Sequence, residues 1–128
     1  MLSLSLRRLT STSKLLRQLT ILPPKLNREY LPNEEWINRN NNQVKFGITE
    51  GAVEQMGEIV FLEYSNEPGD FVSKDNELAV IESVKSVQIL NAPFDCIVLD
   101  NNVSLEECLE SLNEDPENTW ILNLEEKS

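Results

Sequence analysis

The stretch from Leu78 to Leu90 constrains the fold more tightly than any other part of the chain. Its β-branched and aliphatic residues favour extended backbone, yet thirteen residues exceed the usual strand of about five or six in a small domain. The apolar pattern also stops at Glu82, Ser83, Lys85 and Ser86 and resumes at Val87. The run is therefore expected to double back as a hairpin, with Ile81 and Val87 on its two arms and Lys85 at the exposed tip. Lys85 is the only lysine between Lys74 and Lys127. On pattern alone it reads as an ordinary surface lysine at a sheet turn.

Elsewhere in the body the dominant period is again two. Val44, Phe46 and Ile48 alternate with Lys45 and Gly47, and further short β-rich runs cover Ile59 to Tyr64, Cys96 to Leu99 and Trp120 to Leu124. Asn, Pro, Gly and Asp clusters between them predict a small sandwich or partly closed barrel. Two short helices are expected within it. One runs from about Glu50 to Met56, with Thr49 as N-cap and Gly57 free to take a left-handed C-terminal conformation. For the other, Ser104 and Glu107 have capping-box spacing, and Leu105, Cys108, Leu109 and Leu112 repeat at helical spacing before Pro116. Cys96 then falls on a strand and Cys108 on an apolar helix face, which makes both buried free thiols. Trp36 and Trp120 read as core or partly buried anchors.

Charge divides the chain. Of 128 residues, 11 are basic, 22 acidic and none is histidine. Arg7, Arg8, Lys14, Arg17, Lys25 and Arg28 stand in a stretch without acids, which leaves five bases against all 22 acids in residues 29–128, a net of −17. The first 20 or so residues are rich in Leu, Ser, Thr and Arg, the composition of a mitochondrial presequence, with a disordered basic arm as the alternative. Pro23 and Pro24 punctuate the chain, so the expected division is a removable leader at 1–24 and one domain at 25–128. The expected address is the mitochondrial matrix. The absence of histidine excludes imidazole-based triads and His-ligated metal sites, and two thiols cannot enclose a metal. The acidic balance disfavours nucleic-acid partners and points to proteins with basic docking faces. No run approaches the about 20 apolar residues of a membrane span.

The residues around the hairpin also spell a motif. Ile81-Glu82-Ser83-Val84-Lys85-Ser86 resembles the lipoyl-lysine hairpin of the H protein of the glycine cleavage system, in which a Glu-Ser-Val-Lys tetrapeptide carries the acceptor lysine. Tyr30 with Glu35-Trp36-Ile37, then Phe46-Gly47-Ile48-Thr49, then Ala52, Glu54, Met56-Gly57-Glu58-Ile59-Val60 and Glu63 fall in that family's order, as do Ala92-Pro93, Asn101, Asn113, Pro116 and Trp120-Ile121. The resemblance covers about residues 30–124. It implies a mainly β fold, a flattened β-barrel of the lipoyl and biotinyl type (a barrel-sandwich hybrid), with lipoate in amide linkage on Lys85. It further implies that Glu82, Ser83 and Val84 are read by the lipoyl/octanoyl transferase, and that Glu35 contacts the loaded arm.

The job so implied is that of a carrier and cosubstrate without catalysis of its own. It would shuttle an aminomethyl group from glycine decarboxylase, the P protein, to the aminomethyltransferase T protein, and reducing equivalents to the dihydrolipoyl dehydrogenase L protein. At three polar positions the chain departs from the family pattern. Asn33 stands where Ser is common, Glu34 where His is usual, and Ile89 where Asp commonly follows the lysine by four residues. These departures favour one alternative, an H-like relay that supplies lipoate to 2-oxoacid dehydrogenases. Another is an unmodified interaction module that keeps the fold.

Overall fold

The computed structural model describes residues 27–128, and the leader expected at 1–24 lies outside them. Among the described residues nine strands form two antiparallel sheets. The larger is built from β1 (Arg28–Leu31), β2 (Glu35–Asn40), β3 (Gln43–Ile48), β5 (Phe71–Val72), β8 (Cys96–Asn101) and β9 (Leu122–Glu126), in the order β1-β2-β3-β9-β8-β5. The smaller has β6 (Glu77–Ser83) between β4 (Ile59–Tyr64) and β7 (Val87–Asn91). The flattened barrel-sandwich expected from sequence is the observed architecture.

Alternation explains how the sheets close on one another. Val44, Phe46 and Ile48 of β3, Leu122 and Leu124 of β9, and Leu78, Ile81 and Leu90 of the smaller sheet are all buried in one core. Removing such apolar surface from water is the main favourable contribution to folding. The opposite face of β3 presents Gly47, and here a side chain is sterically forbidden. A Cβ on Gly47 would come within 2.4 Å of Cζ2 of Trp36, its cross-strand partner. The Trp36 indole lies flat in that space and its N–H donates to the Pro116 carbonyl at 3.1 Å. The Arg28 guanidinium stacks on the ring's other surface, 3.8 Å from its centroid.

Helix α1 (Glu50–Met56) forms where expected, with the Thr49 hydroxyl accepting from the Ala52 N–H at 3.1 Å. The second expected helix does not form as one piece. It divides into α2 (Ser104–Glu107) and α3 (Glu110–Glu114), with Cys108 extended between them, and a 3-10 turn at Pro116–Asn118 follows. The expected capping box is absent, because the Ser104 hydroxyl donates to Asn102 Oδ1 instead. A continuous helix would stack Glu106 and Glu107 against Glu110, with no basic residue in either last turn to relieve the repulsion. The break keeps Leu105 and Leu112 in the core while turning Cys108 outward, so of the two thiols expected to be buried only Cys96 is.

The Gly47–Trp36 contact generates a stability prediction. Gly47→Ala must displace the indole and is expected to lower unfolding stability by about 2 kcal/mol, read as a urea midpoint shift. A midpoint equal to wild type would show that the ring yields freely.

Candidate functional site

The β6–β7 hairpin folds back at Val84, Lys85 and Ser86, as the broken apolar pattern predicts. Ser83 organises the turn. Its N–H donates to the Ser86 carbonyl at 2.8 Å, and its hydroxyl accepts from the N–H groups of Lys85 and Ser86 at 3.1 and 3.0 Å. A side-chain oxygen that satisfies two turn amides fixes the tip without a glycine. The Val84 N–H donates to the Glu58 carbonyl at 3.0 Å, which ties the tip to the segment after α1. Ser83 therefore has a local structural duty in addition to its expected part in recognition. Glu82 and Val84 are exposed beside it.

Lys85 is exposed, and none of the ion pairs among the described residues engages its ammonium. The outer methylenes of its side chain, Cδ and Cε, pass over Gly57. A Cβ there would stand 3.1 Å from Cγ2 of Val84 and 3.6 Å from Cε of Lys85, and Gly57 holds φ +78° in any case. Local pattern assigns Gly57 to the helix end. The close approach of the lysine methylenes is a second reason for glycine that local pattern does not reveal.

The turn before β2 meets the start of α1 close by. Glu34, at φ 61°, accepts the Thr49 N–H on its carbonyl at 3.0 Å and the Thr49 hydroxyl on Oε2 at 2.5 Å. Asn33, Glu34 and Pro32 then line a groove of about 490 Å³ together with Gln55, Gln88 and Ile89. Glu35 is not on that lining. It faces inward opposite Ile48, only 5% exposed, and burial pushes its carboxyl up to about 7.

Residues 28–128 match the family model for the glycine cleavage H-protein. The chain belongs to the glycine cleavage H-protein family. Among its relatives, the glycine cleavage system H protein of Dinoroseobacter shibae is 41% identical over 96 residues, spanning 74% of this chain and 78% of that one. The Listeria monocytogenes protein of the same name is 41% identical over 98 residues, spanning 76% and 78%. The crystal structure of a glycine cleavage system H protein from Mycobacterium marinum superposes with a TM-score of 0.73 at 28% identity, covering 80% of this chain and 85% of that one. As a member of the H-protein family the chain is a lipoyl carrier of glycine cleavage, a protein cosubstrate with no catalytic activity of its own.

Within this H-protein fold, Asn33, Glu34 and Ile89 fall together. Asn33 and Glu34 are adjacent in sequence, and Ile89, far along the chain, shares one groove wall with them beside β7. The thiols stay apart from it. Cys96 is buried in β8, where burial and neighbouring Asp95 push it up to about 11, and Cys108 is exposed near α3. Among the described residues no group of His, Cys, Asp or Glu is placed to hold a metal ion.

Glu35 gives a pH signature. Its folded carboxyl holds a proton up to about pH 7, against 4.5 when unperturbed, so its favourable contribution is complete below 4.5 and is lost as pH rises through 7. Glu35→Gln cannot ionise. Its stability relative to wild type should rise by about 1–3 kcal/mol between pH 5 and pH 8, measured by urea unfolding. An equal difference at both pH values would contradict the buried, protonated carboxyl.

Proposed function

We propose that Lys85 is the residue that carries lipoate, in amide linkage, and that this diverged H-protein works in the mitochondrial matrix after losing residues 1–24 as a leader. The observation that carries the assignment is the placement of Lys85, alone at the apex of a hairpin that Ser83 braces and Gly57 underlies. Rigid flanking strands fix where a flexible arm begins, and an amine clear of carboxylates is open to the lipoyl/octanoyl transferase. Glu82, Ser83 and Val84 are the neighbours that this enzyme would read. Acylation removes one more positive charge and takes residues 29–128 from −17 to −18.

When bound, the lipoyl group supplies a disulfide–dithiol couple that accepts the aminomethyl unit of glycine. The chain's own contribution is to present and to shelter. Tethering raises the local concentration of the arm at each partner, and the acidic body steers encounters with the P, T and L proteins. Glu34, on the groove wall, is suited to an ammonium, whereas Glu35, next in the chain, faces inward and would meet one only if the loaded arm reached past that wall. A cation brought to Glu35 favours its carboxylate and draws off the proton that burial retains.

Reconstituted glycine–bicarbonate exchange with the P protein tests the assignment. The chain lipoylated by the transferase is expected to support exchange, and Lys85→Arg to support none while its unfolding midpoint is unchanged. The convergence of Asn33, Glu34 and Ile89 on one groove favours a second reading, a relay that hands lipoate to 2-oxoacid dehydrogenases. A chain lipoylated at Lys85 that is inert in exchange yet donates its acyl group to such a dehydrogenase would establish the relay instead.

A further inference from the structure

The outward face of the smaller sheet shows an arrangement that the carrier role leaves unexplained. Its register sets Phe61, Glu82 and Val87 side by side in one row, and Glu63, Val80 and Ile89 in the next. The alternate positions Leu62, Ala79, Ile81 and Leu90 are buried in the core, so these two rows face outward. Phe61 is 44% exposed, Val87 61% and Ile89 50%, with Val84 64% exposed at the tip.

Phe61 reaches this face through an irregularity. The pairing of β4 with β6 shifts between Ile59 and Phe61, and both Val60 and Phe61 are exposed where simple alternation would turn one of them inward. A bulge of this kind disrupts the ladder locally and re-aims a side chain, and bulges concentrate beside functional sites. Here it carries a large aromatic ring into the row that ends next to the Lys85 turn.

Charge narrows the occupant. Strands β4, β6 and β7 hold Glu63, Glu77 and Glu82 and no base. A second copy would bring acid against acid, so the face suits a partner with apolar side chains ringed by Lys or Arg. Position narrows it again. Proteins that act at the far end of an acyl arm meet it an arm's length from the tip, whereas the enzyme that acylates Lys85 must sit over the turn and its flanking strands.

We propose that the face centred on Phe61 and Val87 is the docking surface for the enzyme that acylates Lys85, a proposal that rests on the reading of Lys85 as the acceptor. In that step, with an acyl thioester as donor, the amide C–N bond to Nζ forms as the thioester C–S bond breaks. Of the two protons that the ammonium gives up, one goes to the departing thiolate and the other to solvent. The apolar rows supply the contact and the acids speed the encounter.

The test measures transfer of octanoyl from a thioester donor to the unmodified full chain by the lipoyl/octanoyl transferase, followed by mass. Phe61→Ser/Val87→Ser is expected to lower kcat/KM by about tenfold or more, mainly through KM, with an unchanged unfolding midpoint. Glu63→Lys should also raise KM, and its KM should respond less to added salt than that of wild type. Phe71→Ser, also an exposed phenylalanine but on β5 of the other sheet, should leave acylation unaffected. Wild-type kcat/KM in the double variant would overturn the docking face while leaving Lys85 as acceptor. A wild-type chain that gains no octanoyl mass at Lys85 would overturn the acceptor and the docking face together.

Discussion

Strand β6 pairs with β4 along one side and β7 along the other, and through that pairing a single strand links the core to the lysine hairpin. Its inward residues Leu78, Ala79 and Ile81 are fully buried, while its outward Glu82 lies between Phe61 and Val87. Beyond the register shift between Glu77 and Ala79 side chains alternate along the strand, so a slip of one residue would turn Ile81 outward and place Glu82 in the core. The same burial that stabilises the fold thereby fixes where the β6–β7 turn falls, and the turn fixes Lys85. Precision at the tip is inherited from the core, with Ser83 and the Glu58 carbonyl adding local restraint.

Electrostatics follows from this placement. The lysine projects from an acidic body, and no carboxylate among the described residues captures its ammonium. The basic residues that do engage neighbours serve the opposite side of the molecule. Arg28 stacks on Trp36 and pairs with Glu117, and Lys45 lies 4.0 Å over the Trp120 ring. That cation–aromatic layer covers the outer face of the larger sheet, away from the hairpin, and it makes Gly47 indispensable to the packing. Structure and function therefore use the few cations of the folded domain differently.

Much of this was legible in the sequence, for identifiable reasons. The hairpin announced itself because the apolar run was too long for one strand and broke at polar residues. Helix α1 carried both a side-chain cap and a terminal glycine. The second helix misled because periodicity reports one face and ignores the repulsion of Glu106 and Glu107 against Glu110. Strands β1, β2 and β5 gave little signal. Glu35–Asn40 mixes Arg, Asn and Glu with two apolar residues, and Phe71–Val72 is two residues long, so both owe their extension to pairing partners. The groove shared by Asn33, Glu34 and Ile89, the approach of Lys85 to Gly57 and the bulge at Val60 are products of tertiary contact. No local window contains them.

The central claim is that the lysine at the tip of this hairpin bears the carrier's prosthetic group. Intact mass of the protein purified from the cells that make it, with peptide mapping across Lys85, tests it most directly. The account predicts a lipoyl increment confined to Lys85, on a chain whose new N-terminus follows a removed leader. An unmodified Lys85, in cells where other lipoyl proteins are loaded, would contradict it.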